Sequence, residues 1–295
     1  MNIVVLITSH NRCKITLACL EALYQQNHVK FDVYLVDDGS TDGTSDAVKS
    51  NYPAVNILQG NGNLFWVGGM HLAFAKALEK KYDFYIWLND DTILELNAFN
   101  KLLTSYNYLK KQGKANSIVV GSTYDFFTNK PTYGGAVRSK NWYSNKYEFL
   151  QPSQELQESE TMYGNCVLIP HSVAEKVGNL DSVFIHALGD LDYGLRAKKL
   201  GCSVWVASGY IGTCSKNSVG GSWVDPQLSI YQRLQKVLQP KAFPIKPWIT
   251  FVRRHSGMFW FIYLFLPYVR AVIGYQNLSI SPSFTEEVEQ KIVNT

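Results

Sequence analysis

The sequence predicts an α/β fold: a mostly parallel central sheet with helices on both faces, followed by a C-terminal helical extension. Two observations support this expectation. Apolar segments of strand length alternate with segments of helical periodicity through the first half of the chain. The 295 residues are also 46% hydrophobic and 18% charged, so the chain can bury a sizeable core and does not belong to the disordered class.

The elements of the first half are expected in alternating order. Strands are predicted at residues 3–7, 31–36, 55–58 and 84–88, and helices near residues 14–26, 42–50 and 69–80. Parallel strands need crossover connections of this kind, and those connections are usually helices. The alternation therefore favours a parallel sheet.

The second half of the chain is predicted to begin with an irregular region and to continue with regular strands and helices. Residues 123–160 are rich in Tyr, Asn, Gly and Ser, which favours irregular hairpins lying over a site. Later elements are expected as a strand at 165–169, a helix with an acidic start at 189–201, a strand at 204–207 and a helix near 226–238. We divide the chain into a principal domain, residues 1–225, and a helical extension, residues 226–295.

Composition and motifs exclude several classes of protein. The formal net charge is only +4 and no run of Lys or Arg exceeds two residues, so we expect no nucleic-acid partner. The five cysteines are scattered and odd in number, which favours reduced thiols in a cytosolic protein over disulfides or a zinc site. The P-loop and G-x-S-x-G motifs are absent from the sequence, and Phe65 stands at the third glycine position of G-x-G-x-x-G.

Neither end of the chain is expected to contain a signal peptide or a segment that spans a membrane. Residues 3–7 form an apolar stretch too short for a signal peptide, and residues 257–269 fall short of the about 20 residues that span a bilayer.

Polar clusters directly follow three predicted strands. They are Thr8–Asn11, Asp37–Ser40 and Asn89–Asp91. Because ligands of parallel sheets bind at the carboxyl ends of the strands, we expect the three clusters to converge on one crevice.

Asp90 and Asp91 are candidate ligands for a divalent cation. They follow a strand that is apolar throughout, and carboxylate oxygens suit Mg²⁺ or Mn²⁺. The alternative is an Asx turn with an N-cap for a helix at Leu94. The same alternative, a turn with an N-cap, applies to Asp37 and Asp38.

Four motifs taken together resemble a known family. They are VVLITSHNR, VDDGSTDGT, WLNDDT and ALGDLDYGLRAKKLG, and they span the chain to about residue 215. In this order and at these separations they resemble the family 2 inverting glycosyltransferases of the GT-A (Rossmann-like) fold, in particular the bacterial rhamnosyltransferase-like branch.

The resemblance implies roles for residues that bind nucleotide and metal. Thr8 matches the residue that contacts base and ribose, and Asp38 matches the one that hydrogen-bonds the base. Asn63 lies where the family lines its nucleotide pocket. Asp91 matches the metal ligand, with Asp90 directed toward the ribose or a metal-bound water.

The resemblance also implies a catalytic base, Asp190, with Asp192 as the second choice. Gly189 replaces the glutamate that commonly precedes this aspartate. Two residues along a helix are about 200° apart, so only one of the two carboxylates readily faces a site. Because a helix N-terminus favours the charged form, we expect Asp190 to be ionised at neutral pH. The structural alternative for Asp190 is an N-cap.

The predicted function is metal-dependent, inverting transfer of a sugar from a nucleoside-diphosphate donor to a glycan acceptor in bacterial surface polysaccharide synthesis. The branch resemblance favours rhamnose from dTDP-rhamnose and a polyprenyl-linked acceptor. Two alternatives stay open: a nucleotidyltransferase, and a catalytically silent sugar-nucleotide-binding assembly subunit. The presence of Asp38, Asp91 and Asp190 argues against the silent subunit.

Residues 246–274 combine Trp and Phe with flanking arginines. This composition predicts either a segment lying on the inner face of the plasma membrane, or one that packs on the domain or forms a homodimer. Elsewhere, His71, His171 and His186 are isolated and are expected to be structural or peripheral. Phe65, Trp66, Trp142 and Tyr143 could stack on a sugar or base, although Phe65 and Trp66 fit a core equally well.

Overall fold

The computed structural model describes residues 1–26, 29–140, 146–215 and 221–273. The strands in these ranges are β1 (Ile3–Ser9), β2 (Phe31–Asp37), β3 (Asn56–Gln59), β4 (Phe84–Leu88), β5 (Ile93–Leu94), β6 (Ser117–Tyr124), β7 (Pro131–Tyr133), β8 (Gly135–Arg138), β9 (Tyr147–Phe149), β10 (Gln157–Ser159), β11 (Thr161–Met162), β12 (Cys166–Pro170) and β13 (Ser203–Thr213). The helices are α1 (Cys13–Tyr24), α2 (Thr44–Asn51), α3 (Phe65–Leu78), α4 (Ala98–Lys111), α5 (His171–Val177), α6 (Gly189–Lys199), α7 (Ile230–Val237), α8 (Ile245–His255) and α9 (Trp260–Ile273).

The described strands form a ten-stranded main sheet and a smaller sheet of β11, β8 and β9. The main sheet runs in the order β10-β13-β6-β12-β4-β1-β2-β3, with β5 and β7 paired at its side. Strands β4, β1, β2 and β3 are mutually parallel, whereas β12 lies antiparallel between β4 and β6. The predicted α/β class with a mostly parallel sheet is confirmed.

Helices cover both faces of the main sheet because side chains alternate along each strand. In β1, Val4 and Leu6 join the cluster that includes α3, α6 and α8. Ile3, Val5 and Ile7 join the cluster on the other face, which includes α1 and α4. Every residue of β1 is buried, as expected for a strand covered on both sides.

The main differences from the predicted elements lie after β4. The turn at Asp91 does not cap a helix at Leu94, because Ile93 and Leu94 pair with Thr213 and Gly212 of β13. The helix starts at Ala98 instead. Strand β13 is longer than predicted, since it pairs with β6 along its length through two register shifts.

The C-terminal helical extension is present and packs on the main domain. Trp248, Phe251 and Val252 of α8 belong to the core cluster that contains α3 and α6. The domain boundary at residue 225 stays a prediction. None of the helices in the described ranges is long and apolar enough to cross a bilayer. Trp142 and Tyr143 lie outside the described residues, as do residues 274–295.

Candidate active site

A cleft of about 610 Å³ opens at the carboxyl ends of β1, β2 and β4. Thr8, Asp38, Asp90, Asp91 and Asp190 all line it. The three polar clusters therefore converge as the strand order predicts. Asn63 and Asp192 are not among the lining residues.

A larger hollow of about 810 Å³ lies at the opposite edge of the sheet, lined by Met1, Phe31 and Lys80 among others. Phe31 begins β2 and Ile3, also part of its lining, begins β1, so this hollow faces the amino ends of the strands. Ligands of such sheets bind at the carboxyl ends, which identifies the smaller cleft as the candidate site.

Asp38 holds the segment that follows β3 against the end of β2. Its Oδ1 accepts the backbone N–H of Gly62 at 2.8 Å, and its Oδ2 accepts those of Leu64 and Phe65, both at 2.9 Å. Phe65 adopts a left-handed φ of 53° at this point. The carboxylate thus shapes one wall of the cleft while remaining at its surface.

The structure places Asn63 on an exposed turn, where its N–H bonds the side chain of Asn61 at 3.0 Å. Its predicted contact with nucleotide stays a prediction, and Gly62 beside it is the residue that reaches the cleft. Asp37 holds a turn, as one part of its structural alternative predicts, but it does not cap α2, whose N-cap is Gly43. Its Oδ1 accepts the N–H of Ser40 at 2.9 Å and its Oδ2 accepts the hydroxyl of Ser45.

Arg12 lies between the two carboxylates that follow β4. Its Nη1 is 2.9 Å from Asp90 Oδ1 and 3.0 Å from Asp91 Oδ2. Burial raises the pKa of Asp90, and Arg12 opposes that shift. The second oxygen of Asp90 is buried and has no hydrogen-bond partner among the described residues. Arg12 therefore fixes this carboxylate through one oxygen, and the other oxygen can still accept a hydrogen bond or bind a ligand.

The other oxygen of Asp91 accepts a hydrogen bond from Cys214, with 3.3 Å between Sγ and Oδ1. Burial raises the pKa of Cys214 to about 12, so the group is a thiol donor at neutral pH. Asn165 Nδ2 lies 3.3 Å from the same sulfur. The end of β13 thus packs directly against the Asp91 side of the cleft.

The carboxylate pair fits a divalent cation that shares its ligands with a substrate. Across the described ranges no group of three or more His, Cys, Asp or Glu side chains is arranged to hold a metal ion. Mg²⁺, however, commonly takes only one or two protein carboxylates and completes its shell with water and phosphate oxygens. Asp90 and Asp91 supply such oxygens, and the spare oxygen of Asp90 is consistent with a further ligand or water there.

Asp190 stands at the start of α6 and lines the cleft. Its Oδ2 accepts the N–H of Gly164 at 3.0 Å and its Oδ1 accepts that of Leu191 at 2.8 Å. Burial raises the pKa of Asp190 to about 6, and these two donors oppose the shift. The helix N-terminus therefore does not outweigh burial, although the carboxylate is still mostly ionised at pH 7.

Two glycines allow this arrangement. A Cβ on Gly164 would lie 2.4 Å from Cη2 of Trp66, so only glycine brings its N–H to Asp190 past that ring. A Cβ on Gly189 would lie 2.6 Å from Cγ2 of Val67. The close approach of α6 to α3 is thus a physical reason for glycine where the motif commonly has glutamate.

Asp192 faces away from the cleft into a buried cluster of charges. Its Oδ2 is 2.7 Å from Arg196 Nε, and its Oδ1 is 2.9 Å from Arg254 Nη1 and 2.8 Å from His255 Nε2. The two Oδ1 contacts join α6 to α8, whereas the Arg196 contact lies within α6. This geometry favours Asp190 over Asp192 as the base.

Four further cleft residues were not predicted from the sequence: Arg12, Tyr163, Lys241 and Phe243. His186, expected to be structural or peripheral, also lines the cleft. Burial lowers the pKa of His186 to about 4, so its imidazole is neutral. Arg12 belongs to the polar cluster after β1 and could have been found there, whereas Lys241 and Phe243 come from the link before α8 and carry no local signal.

Trp66 lies between the core and the cleft, and its stacking on a sugar or base stays a prediction. Its Nε1 donates to Asn89 Oδ1 at 2.7 Å, and its ring packs edge-on to Trp87. The ring also lines the cleft. Trp66 therefore fixes the side chain that begins the Asn89–Asp91 cluster.

Comparison with known proteins identifies the family. Residues 4–178, more than half of the chain, match the family model described as Glycosyl transferase family 2. The chain belongs to glycosyl transferase family 2. The motif-based resemblance to this family is thereby confirmed.

Two curated proteins are similar to this chain. Both are named N-acetylglucosaminyl-diphospho-decaprenol L-rhamnosyltransferase and come from Mycobacterium tuberculosis, strains CDC 1551 / Oshkosh and ATCC 25618 / H37Rv. Each is 28% identical over 196 residues. The matched part covers 60% of this chain and 64% of the relative's length.

Two solved structures share the fold. S. aureus TarS 1-349 superposes with a TM-score of 0.52 at 12% identity, covering 100% of this chain and 78% of that chain. GalNAc-T7 with UDP, GalNAc and Mn²⁺ superposes with a TM-score of 0.59 at 16% identity, covering 80% of this chain and 47% of that chain. The GT-A-like assignment of the fold is confirmed.

Proposed function

We propose that this protein transfers a sugar from a nucleoside-diphosphate donor to a hydroxyl group of a glycan acceptor, with inversion at the anomeric carbon. The observation that carries the proposal is the position of Asp190. Its carboxylate lines the same cleft as Asp38, Asp90 and Asp91, at the carboxyl edge of the sheet. Family membership favours this reaction over nucleotidyl transfer.

The donor would lie across the ends of β1, β2 and β4. Thr8 and Asp38 line the part of the cleft proposed for the nucleoside. Arg12 and Lys241 are cationic groups of the lining and suit the negative charge of a diphosphate. Asp90 and Asp91 would hold Mg²⁺ or Mn²⁺, and that cation, when bound, neutralises charge on the leaving diphosphate.

Asp190 would act as the general base. The acceptor oxygen forms a bond to the anomeric carbon, the bond from that carbon to the diphosphate oxygen breaks on the opposite face, and the nucleoside diphosphate leaves with the electron pair. Asp190 takes the proton from the attacking hydroxyl. A pKa of about 6 leaves the group ionised at pH 7 yet more basic than an exposed aspartate.

The donor we favour is dTDP-rhamnose, and the acceptor we favour is a polyprenyl-linked glycan of bacterial surface polysaccharide synthesis. The support is the name of the mycobacterial relatives, which specifies an L-rhamnosyl group and a diphospho-decaprenol acceptor. Such an acceptor is anchored in the membrane, so we propose that the reaction takes place at the cytoplasmic face of the plasma membrane.

A panel of nucleotide sugars tests the function. A donor that binds the native state raises the unfolding temperature with its concentration. We expect dTDP-rhamnose with Mn²⁺ to give the largest rise, and the same donor to yield dTDP with a glycosylated acceptor. Stabilisation by another sugar nucleotide would correct the donor alone. If no member of the panel stabilises the protein or is consumed with an acceptor present, the proposed function is wrong.

A further inference from the structure

The outward side of α9 is apolar. Its exposed apolar side chains are Phe261, Ile262, Phe265, Val269, Val272 and Ile273. At 3.6 residues per turn these positions fall in a stripe about 120° wide, which we call the outer face of α9. Phe261 is 50% exposed and Phe265 is 62% exposed. Contiguous apolar surface of this kind marks an interaction site.

The orientation of this face is fixed by the opposite side of the helix. Trp248 Nε1 of α8 donates to the carbonyl of Leu264 at 3.0 Å, and the hydroxyl of Tyr268 donates to the carbonyl of Phe243 at 2.9 Å. Pro267 and Ala271 of α9 are buried on the side of the helix opposite to its outer face. Rotation of α9 to hide the outer face would break these contacts.

The C-terminal helical region carries one sign of charge. Residues 226–273 contain seven Lys and Arg residues and no Asp or Glu, in a chain whose formal net charge is only +4. Lys246 and Arg253 are exposed, and the Arg253 guanidinium lies 5.6 Å from the ring of Trp260 at the start of α9. An apolar stripe with basic neighbours complements an anionic lipid surface. A second copy would instead bring two basic segments together, which is unfavourable.

We propose that the outer face of α9 docks on an anionic phospholipid bilayer. The helix lies in the plane of the headgroups, its apolar side chains reach the boundary with the acyl chains, and Lys246, Arg253 and Arg270 contact lipid phosphates. The docking rests on the exposed face and the charge. Its use, described next, rests on the proposed function.

Docking would place the cleft beside the lipid surface. Lys241 and Phe243 line the cleft and precede α8 directly. The carbonyl of Phe243 bonds Tyr268 of α9, so this wall of the cleft and the docking helix form one packed unit. An acceptor held in the bilayer would therefore enter the cleft along the wall that Lys241 and Phe243 form.

Sedimentation of the full chain with vesicles tests the docking. We expect it to sediment with phosphatidylglycerol-containing vesicles and much less with pure phosphatidylcholine, and to dissociate as salt rises. The double variant Phe261→Gln, Phe265→Gln should stay folded by circular dichroism and lose sedimentation. Phe127→Gln is the matched control, because Phe127 is 86% exposed and lies between β6 and β7, outside α9. This variant should sediment like the wild type.

The basic residues give a second measurement. Arg253→Gln and Lys246→Gln should each weaken binding to anionic vesicles about fivefold at low salt. A wild-type chain that does not sediment, or a folded double variant that sediments fully, overturns the proposal.

Two other outcomes identify a different occupant and also overturn the proposal. A dimer in light scattering that the double variant loses, without any vesicle binding, makes the face a contact between copies. Vesicle binding could also be gained only after Glu286, Glu287 and Glu289 are changed to Gln. In that case the outer face of α9 contacts the chain's own C-terminal residues.

Transfer to a short soluble acceptor should be unchanged in the double variant. If docking is found while no transfer occurs with any acceptor, the proposed function fails and the docking stands.

Discussion

Arg254 of α8 donates a hydrogen bond to the fully buried carboxylate of Asp192 on α6, with 2.9 Å between Nη1 and Oδ1. Its other terminal nitrogen, Nη2, lies 2.6 Å from Asp181 Oδ2. Because Asp192 comes two residues after Asp190, these bonds join the C-terminal helices to the helix that carries the proposed base.

Arg254→Met should lower the free energy of unfolding by about 2 kcal/mol, because it removes a charged hydrogen bond from a buried carboxylate. Burial by itself raises the pKa of Asp192. The hydrogen bonds from His255, Arg196 and Arg254 outweigh the effect of burial and hold the pKa below its usual value. The stability they contribute is present above the unfolded pKa of about 3.9 and is lost as the pH falls through the folded pKa.

Urea denaturation at pH 7 and at pH 3.5 measures this effect. The deficit of Arg254→Met should be smaller at the lower pH. The neighbouring variant Arg253→Met is the control, since Arg253 is exposed and its ring contact contributes no more than about 1 kcal/mol. Equal losses for both variants would contradict the role given to the buried cluster.

Asp190→Asn should separate binding from chemistry. The amide cannot take the proton, and its NH2 group must face the backbone N–H of Gly164 or of Leu191. We expect kcat to fall by about 10²- to 10⁴-fold while the donor Kd stays near the wild-type value. Asp192→Asn is the comparison, and it should lower stability more than it lowers kcat in the fraction that remains folded. Loss of turnover in folded Asp192→Asn with normal turnover in Asp190→Asn would reverse the assignment.

Local patterns predicted the first half of the fold well because β1 and β4 are buried throughout and β1, β2 and β4 end in polar clusters. Residues 84–88 were placed without error, since FYIWL is apolar throughout and is followed directly by Asn89. The antiparallel insertion of β12 between β4 and β6 was not predicted. Strand direction depends on pairings distant in sequence, which apolar periodicity does not encode.

The site was predicted where it depends on strand ends and missed where it depends on tertiary contact. Asp38, at the end of β2, reaches the cleft as expected, and so does Asp190 at the start of α6, which the family resemblance indicated. Lys241 does so because the link before α8 folds back over the cleft, and nothing around it in the sequence indicates a site. The raised pKa of Asp190 comes from burial, which only the folded chain produces.

The pH dependence of turnover should report Asp190. Because burial raises its pKa to about 6, kcat/KM should fall about tenfold per pH unit below pH 6 and be flat from pH 7 to 8. Donor affinity measured by calorimetry over the same range is the control and should change much less. A kcat/KM that stays constant down to pH 5 would show that Asp190 is not the base.

Asp38→Asn should affect the cleft wall as well as the nucleotide. The wild-type carboxylate accepts hydrogen bonds from the backbone N–H groups of Gly62, Leu64 and Phe65. The amide of the variant has only one acceptor oxygen, and its NH2 group would face at least one of these backbone N–H groups. We expect faster hydrogen exchange at these three amides and at least tenfold weaker donor binding. Asp46→Asn on α2, outside the cleft lining, should change neither. Weaker donor binding with unchanged exchange would limit Asp38 to ligand contact.

Arg12 should compete with a divalent cation for the two carboxylates that it bridges. Its Nη1 lies within 3.0 Å of an oxygen of both Asp90 and Asp91, so a cation that binds them must displace or repel the guanidinium. Arg12→Gln removes that positive charge. In the absence of nucleotide, Mn²⁺ should therefore bind the variant about tenfold more tightly than the wild type, as measured by electron paramagnetic resonance of unbound Mn²⁺.

The same substitution should weaken binding of the donor, because it removes one of the cationic groups proposed to face the diphosphate. We expect a higher donor KM together with the tighter Mn²⁺ binding, two opposite shifts that a general loss of structure does not produce. Arg12→Gln combined with Asp91→Asn is the control, and it should lose the gain in Mn²⁺ affinity because a carboxylate proposed to bind the metal is gone. If Arg12→Gln binds Mn²⁺ more weakly than the wild type, Arg12 supports the metal site rather than competing with it.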